Sequence, residues 1–369
     1  MLLGVLRNLD TQKFESVVCC IQDRGELADE VEALGIPVVA LGLMQRGGHD
    51  RRVVPALRQL MRDHRIDLVH THLYHANLYG RLAARRENLP VIASVHNTYH
   101  RTKWHRRLLN RLLARRTYAV TAGSAEVERD LLAIDRIPRD KVVRLPNCID
   151  LDRVVTGLTA SEAKRQLGFQ ESDIVIGTVG RVEEQKGHTY LLEAFAQVRQ
   201  QPGGDALRLL IVGDGRMLPR LHETAATLGL EEVCLFPGQL AKLADVYRAV
   251  DLFAMPSLWE GLSLAMLEAM AAGLPVIATD VGGAREVLGD NQCGRLVPPR
   301  DATALARAIT DLLGHPDERA RVAAAGRDRV RSTYSAVTLA ARLSSMYLAA
   351  LGPAISTLHD KTPTSLPST

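Results

Sequence analysis

Short apolar runs alternate with stretches whose apolar residues recur every three or four positions along most of the chain. That alternation is the mark of parallel β-α-β units. The first half predicts strands at 16–21, 37–41, 68–72, 91–96, 119–122 and 142–145. The pattern restarts near Asp173, with strands at 174–179, 207–212, 233–236, 252–255, 275–279 and 294–297. Helices such as 187–200 and 263–272 separate them, and a last group occupies 320–351. The expected class is therefore α/β, with two doubly wound Rossmann-like domains. Residues 1–150 form the first, 151–351 the second with its terminal helices, and 352–369 a Pro-, Ser- and Thr-rich tail without periodicity, expected to be disordered.

Length agrees with this division, because a single core rarely grows beyond about 250–300 residues and this chain has 369. No apolar run reaches the roughly 18 residues that a spanning helix requires. With no secretory signal pattern at Met1–Arg7, the expectation is a cytoplasmic protein. The five cysteines, Cys19, Cys20, Cys148, Cys234 and Cys293, show no CxxC spacing and read as reduced, buried thiols. A net charge of +4 conceals an asymmetry: residues 1–153 carry +7 and the remainder −3. The basic half calls for an anionic partner. Nucleic acid is disfavoured, since aromatics are only 4% and no nucleic-acid-binding motif accompanies the charge.

In open α/β sheets ligands bind beyond the C-terminal ends of the strands, so polar and glycine residues there carry the chemistry. Segment 180–187, GRVEEQKG, follows a strand and precedes a helix. Arg181 offers a planar fork, Lys186 a point charge and the helix start free N–H groups, a set suited to a diphosphate. The competing reading is a solvated loop in which Arg181 pairs with Glu183 or Glu184. Segment 257–268 places Glu260 just ahead of a helix and Glu268 within it. Eight helical positions amount to about 12 Å, too far for the two carboxylates to share one proton. Glu260 is placed to accept from sugar hydroxyls, with the amides of Gly261, Leu262 and Ser263 beside it. Glu268 interrupts an apolar face and requires a partner, either a ribose diol or a structural ion pair.

Together these segments resemble glycosyltransferase family 4, a retaining family with the two-domain GT-B fold. GRVEEQKG is similar to its diphosphate loop and Glu260-x7-Glu268 to its EX7E motif. LLIVGDG (209–215), VCLFPG (233–238), DLFAMPS (251–257) and AAGLPVIATDVGGAREV (271–287) follow in the same order. The resemblance implies a UDP- or GDP-sugar donor held by Gly180, Arg181, Lys186, Gly213, Gly238, Glu260, Gly261, Leu262, Ser263 and Glu268. It assigns catalytic roles to Arg181, Lys186, Glu260 and His96, the last opposite the donor sugar, and it implies no metal or cofactor. Transfer goes to a hydroxyl of a sugar or lipid-linked acceptor, in polysaccharide, lipopolysaccharide or glycolipid assembly. A sugar-nucleotide epimerase of the same fold and an inactive donor-binding remnant are the rivals. A dehydrogenase is disfavoured because Leu218 stands where the dinucleotide fingerprint needs its third glycine.

Three further features qualify this reading. His70, His72 and His75 are close in sequence, but no nearby Cys or acidic residue completes a metal site. Residues 100–118 read as a helix with an apolar stripe and a basic remainder, either packing on a sheet or docking peripherally on an anionic membrane face. Cys148 replaces the glycine that commonly follows the asparagine equivalent to Asn147. The family's first strand and glycine-rich loop have no counterpart before the helix at 2–9, so a further 15–25 or so residues upstream are expected, with weak activity in their absence.

Overall fold

The computed structural model describes residues 1–44, 48–96 and 104–352. Its strands are β1 (Val18–Cys20), β2 (Val38–Ala40), β3 (Val69–His72), β4 (Val91–Val95), β5 (Ala119–Ala122) and β6 (Val142–Arg144), then β7 (Ile174–Val179), β8 (Leu207–Val212), β9 (Cys234–Gly238), β10 (Leu252–Met255), β11 (Val276–Thr279) and β12 (Arg295–Val297). The chain divides into two compact units, each discontinuous in sequence. One takes Leu2–Ala122, Glu128–Leu145 and the chain from Leu339; the other takes Met1, Gly123–Val127 and Pro146–Thr338.

In the first unit all pairings are parallel but fall into two separate sheets, β1-β2 and β3-β4-β5-β6. Every residue of β4 and of β5 is buried, as expected for inner strands covered on both faces. A small core of Val53, Leu57, Met61, Tyr79 and Val91 packs the helices Val53–Asp63 and Tyr74–Glu87 onto this sheet.

The second unit has one parallel sheet in the order β12-β11-β10-β7-β8-β9. Consecutive residues of a strand point to opposite faces, and the packing shows it. Val175, Leu210 and Phe253 join the core containing Tyr247 and Met266, whereas Ile176, Leu209 and Leu252 join the one containing Leu191 and Phe195. Strand order reverses between β7 and β10, which places a topological switch point at their C-terminal ends.

Some expectations change. The described part of the basic helix spans Trp104–Ala114 and ends short of the expected residue 118, since Thr117 is buried and β5 opens at Ala119. Residues 100–103 and the Trp104 side chain lie outside the described residues, as does the tail from 353. Only Cys148 and Cys293 are buried; Cys19, Cys20 and Cys234 are half-buried free thiols. The last helices begin at Pro316 rather than 320 and run Pro316–Thr333 and Ala336–Leu351. Proline suits a first helical turn, where its missing N–H leaves nothing unsatisfied.

Candidate functional site

Two loops leave the switch point of the six-stranded sheet, one after β7 and one after β10. They are docked on each other. Leu258 N donates to Gln185 O at 2.7 Å, and Gln185 Nε2 donates to Trp259 O at 2.9 Å. Gly187 permits the approach: it adopts φ +64°, and a Cβ there would lie 2.1 Å from Pro256 O. The consequence is an ion pair between Lys186 Nζ and Glu260 Oε2, both largely buried.

Glycines at the ends of β7, β8 and β9 close in beside this pair. Gly180 N donates to Val212 O at 2.9 Å, and Gly213 N donates to Gly238 O at 2.8 Å. A Cβ on Gly213 would stand 1.9 Å from Gly180 O. Arg181 is exposed and reaches Gln185 Oε1 at 3.5 Å. Glu183, offered above as its partner, is held by Arg216 Nη2 at 2.7 Å instead. Among the described residues the Arg181 guanidinium thus bonds the Gln185 amide rather than Glu183 or Glu184, leaving donors available to a ligand.

The loop after β10 continues into the helix Leu264–Ala271. Ser263 caps it, its Oγ accepting from Met266 N at 3.4 Å. Gly261 O accepts from Gly283 N at 2.7 Å, and Leu262 O accepts from Asn147 Nδ2 at 3.4 Å. These backbone anchors hold the 260–263 segment in a fixed course. Glu268 does not use an ion pair as its contact: Tyr247 Oη donates to its Oε2 at 2.8 Å. Burial raises the Glu268 carboxyl above the usual range, with the Tyr247 hydrogen bond and the Arg153 charge opposing.

The first unit holds His96, half-buried just beyond β4. Its Nε2 is 3.0 Å from His72 Nδ1. His70 Nδ1 meets Tyr347 Oη at 2.6 Å and His70 Nε2 meets Ser94 Oγ at 2.8 Å. Burial, then the neighbouring His96 charge, pushes His70 down to about 3, and His72 is lowered for the same first reason. Burial and the neighbouring charges thus favour the neutral forms of His70 and His72.

Family models match both parts of the chain: "Glycosyltransferase Family 4" over residues 1–153 and "Glycosyl transferases group 1" over 160–329. The 2-deoxystreptamine N-acetyl-D-glucosaminyltransferase of Streptomyces fradiae is 31% identical, over 80% of this chain and 74% of that protein. The chain belongs to glycosyltransferase family 4. A D-inositol 3-phosphate glycosyltransferase of Nocardia farcinica is 33% identical over 69% of this family 4 chain, and 60% of its own length is covered. The chain spans 57% to 65% of the length of the first three curated relatives it matches. Anabaena HepE in complex with UDP superposes with a TM-score of 0.82 at 22% identity, covering 94% of this chain and 95% of that one. A glycosyltransferase of Rickettsia africae gives 0.83 at 21%, covering 95% and 94%. The fold is GT-B, built of two Rossmann-like α/β units.

Three side chains that sequence reasoning passed over adjoin the candidate site of this family 4 chain. Tyr247 lay in an apolar stretch with no sign that its hydroxyl served Glu268. Gln185 looked like one more polar loop residue, yet it bridges the two loops. His188, beside Lys186 and 3% exposed, has no hydrogen-bond partner for Nδ1 among the described residues, and burial followed by the Lys186 charge lowers it to about 4.

Proposed function

We propose that this chain transfers a sugar, with retention, from a nucleoside diphosphate sugar to an acceptor hydroxyl in cell-surface polysaccharide or glycolipid assembly. One observation carries the reading: Lys186 of the candidate diphosphate loop and Glu260 of the EX7E segment meet at the switch point of the sheet. A cation and a carboxylate paired at the end of a parallel sheet match the needs of a ligand bearing both phosphates and hydroxyls. HepE has been crystallised with UDP and with UDP-glucose, which supports a uridine nucleotide as the donor. A relative from Escherichia coli, 26% identical, is a UDP-Gal:α-D-GlcNAc-diphosphoundecaprenol α-1,3-galactosyltransferase, which supports a lipid-linked acceptor.

In this reading Arg181 and Lys186 neutralise the diphosphate as it leaves, the point where negative charge develops. Glu268 accepts from the ribose hydroxyls, and Glu260 with the Gly261–Ser263 backbone orients the transferred sugar. His96 serves the acceptor-side domain, and residues 100–118 dock it on an anionic membrane face. Among the described residues no helix is long and apolar enough to cross a membrane.

The test is nucleotide release from a panel of UDP- and GDP-sugars, run beside equilibrium binding of UDP and GDP. Release from at least one donor, abolished together with nucleotide binding in Arg181→Ala/Lys186→Ala, is the expected result. Unchanged binding and release in that variant would remove the proposal.

A further inference from the structure

Apart from the loops after β7 and β10, the described residues enclose a cavity of about 280 Å³ in the first unit. Arg81, Arg85, Arg115, Arg116, Leu112 and Thr117 line it, and no acidic residue does. Four arginines share this lining with no acidic residue among them, and their like charges repel unless something neutralises them.

The usual bland explanations fail here. Cations often gather at a helix C-terminus to satisfy its last carbonyls. In the helix Trp104–Ala114, however, Leu113 O already accepts from Arg116 N at 3.1 Å and Thr117 Oγ1 at 2.9 Å, and Ala114 O from Thr117 N at 3.1 Å. Surface ion pairing is missing as well: among the described residues the exposed side chains of Arg85, Arg115 and Arg116 have no hydrogen-bond or salt-bridge partner.

Arg81 is the anchor. It is 6% exposed, and its Nε donates to Asn77 O and its Nη2 to Asn110 Oδ1, each at 2.6 Å. Its Nη1 is buried and has no partner. Asp135, the acid whose charge Arg81 feels, is bonded by Asn110 Nδ2 at 2.5 Å rather than by the guanidinium. Burial draws Arg81 down to about 10, still cationic at neutral pH. A fixed guanidinium with an unpaired donor, in a lining that also holds three unpaired arginines, suits an oxyanion.

Size narrows the ligand. Pockets for drug-sized molecules run to about 300–1,000 Å³. At about 280 Å³ this one suits a phosphate group with a short substituent better than a whole nucleotide. Leu112, 50% exposed and part of the lining, suits an apolar substituent. We propose that this cavity binds the phosphate group of a small phosphate ester or of an anionic lipid headgroup, independently of the diphosphate loop.

The experiment is calorimetric titration with inorganic phosphate of the full chain carrying Arg181→Ala and Lys186→Ala, so that the diphosphate loop does not contribute. One site is expected. Adding Arg85→Ala and Arg116→Ala, both at exposed positions and compatible with folding, should weaken binding at least tenfold without lowering the melting temperature. Arg81→Lys, which keeps the charge and loses the fork, should weaken it as well. No phosphate binding by the parent, or undiminished binding in the Arg85→Ala/Arg116→Ala chain, overturns the proposal. Phosphatidylglycerol vesicles then identify the source. Their release by phosphate from the same chain assigns the cavity to a lipid headgroup, and indifference to phosphate assigns it to a free ester.

Discussion

Lys186 and Glu260, 74 residues apart in sequence, form an ion pair whose members are only 16% and 12% exposed. Removing one partner leaves the other's charge in a poorly solvated place. For fully buried pairs that costs about 3–5 kcal/mol; residual solvent around this pair reduces the expectation to about 1–3 kcal/mol. Lys186→Ala and Glu260→Gln should each destabilise the ligand-free protein by that order, and the double variant by less than the sum. Urea unfolding of all four proteins measures the coupling, and strictly additive losses would show that the pair contributes nothing.

Glu268 sets stability against binding. Its folded-state carboxyl is raised by burial, so the folded form holds a proton more readily than the unfolded one. The penalty for ionising it therefore appears as pH rises past the unfolded value and persists at neutral pH. Glu268→Gln should raise the melting temperature at pH 7 while weakening nucleotide binding. Tyr247→Phe removes the hydrogen-bond donor, and a loss of about 1–3 kcal/mol is expected. A lower melting temperature for Glu268→Gln would contradict the burial argument.

Glycine substitutions separate loop geometry from general tolerance. At Gly187 and Gly213 a Cβ would meet Pro256 O at 2.1 Å and Gly180 O at 1.9 Å, while at Gly157 it meets nothing within 4 Å. Alanine at either of the first two should abolish nucleotide binding and cost at least about 1–3 kcal/mol from backbone strain alone. Gly157→Ala should be close to neutral in both assays. Calorimetry beside thermal melting distinguishes these outcomes.

His70 should make the protein acid-sensitive. Its folded pKa of about 3 lies below the ordinary histidine value of 6.5, so the unfolded chain takes up a proton first. Stability from the neutral ring is complete above the unfolded value and declines as pH falls from there towards about 3. Melting temperature should drop between pH 7 and pH 5, and His70→Asn should flatten that slope. His72, lowered in the same sense, will retain part of it.

Basic residues of the helix Trp104–Ala114 and just beyond it make a separate prediction. Neutralising Arg106, Arg107, Arg111 and Arg115 should abolish sedimentation with anionic vesicles, and salt should release the unmodified protein, since attraction fades beyond a Debye length of about 8–10 Å. Equal sedimentation with neutral vesicles would point to apolar contacts instead.

Strands covered on both faces were legible to within one residue. β5, β7, β8 and β10 coincide with the apolar runs that foretold them, because burial leaves no room for polar residues until the strand ends. The separation of β1-β2 from β3–β6 was not legible, since which strands pair is settled by contacts distant in sequence. The same limit hid the site's internal bonds. Spacing alone placed Glu268 on an apolar helix face but could not reveal that Tyr247, on the helix Leu243–Ala249, reaches it. The meeting of Lys186 with Glu260 depends likewise on Gly187 and the neighbourhood of β7 and β10, neither of which local periodicity encodes. At 100–118 the basic and apolar pattern ran past the helix end, because Thr117 bonds Leu113 O and turns the chain into β5.

The hydrogen bond between His70 and Tyr347 joins residues 277 positions apart within one unit. During synthesis the two ends of that bond emerge from the ribosome at very different times. Domains that are continuous in sequence can settle one after another as they appear, the N-terminal one first. Here the unit that begins at Leu2 must wait for the helix Ala336–Leu351, while most of the other unit is translated in between. The half made first is therefore the half completed last, and His70 of β3 remains without its tyrosine until residue 347 has emerged.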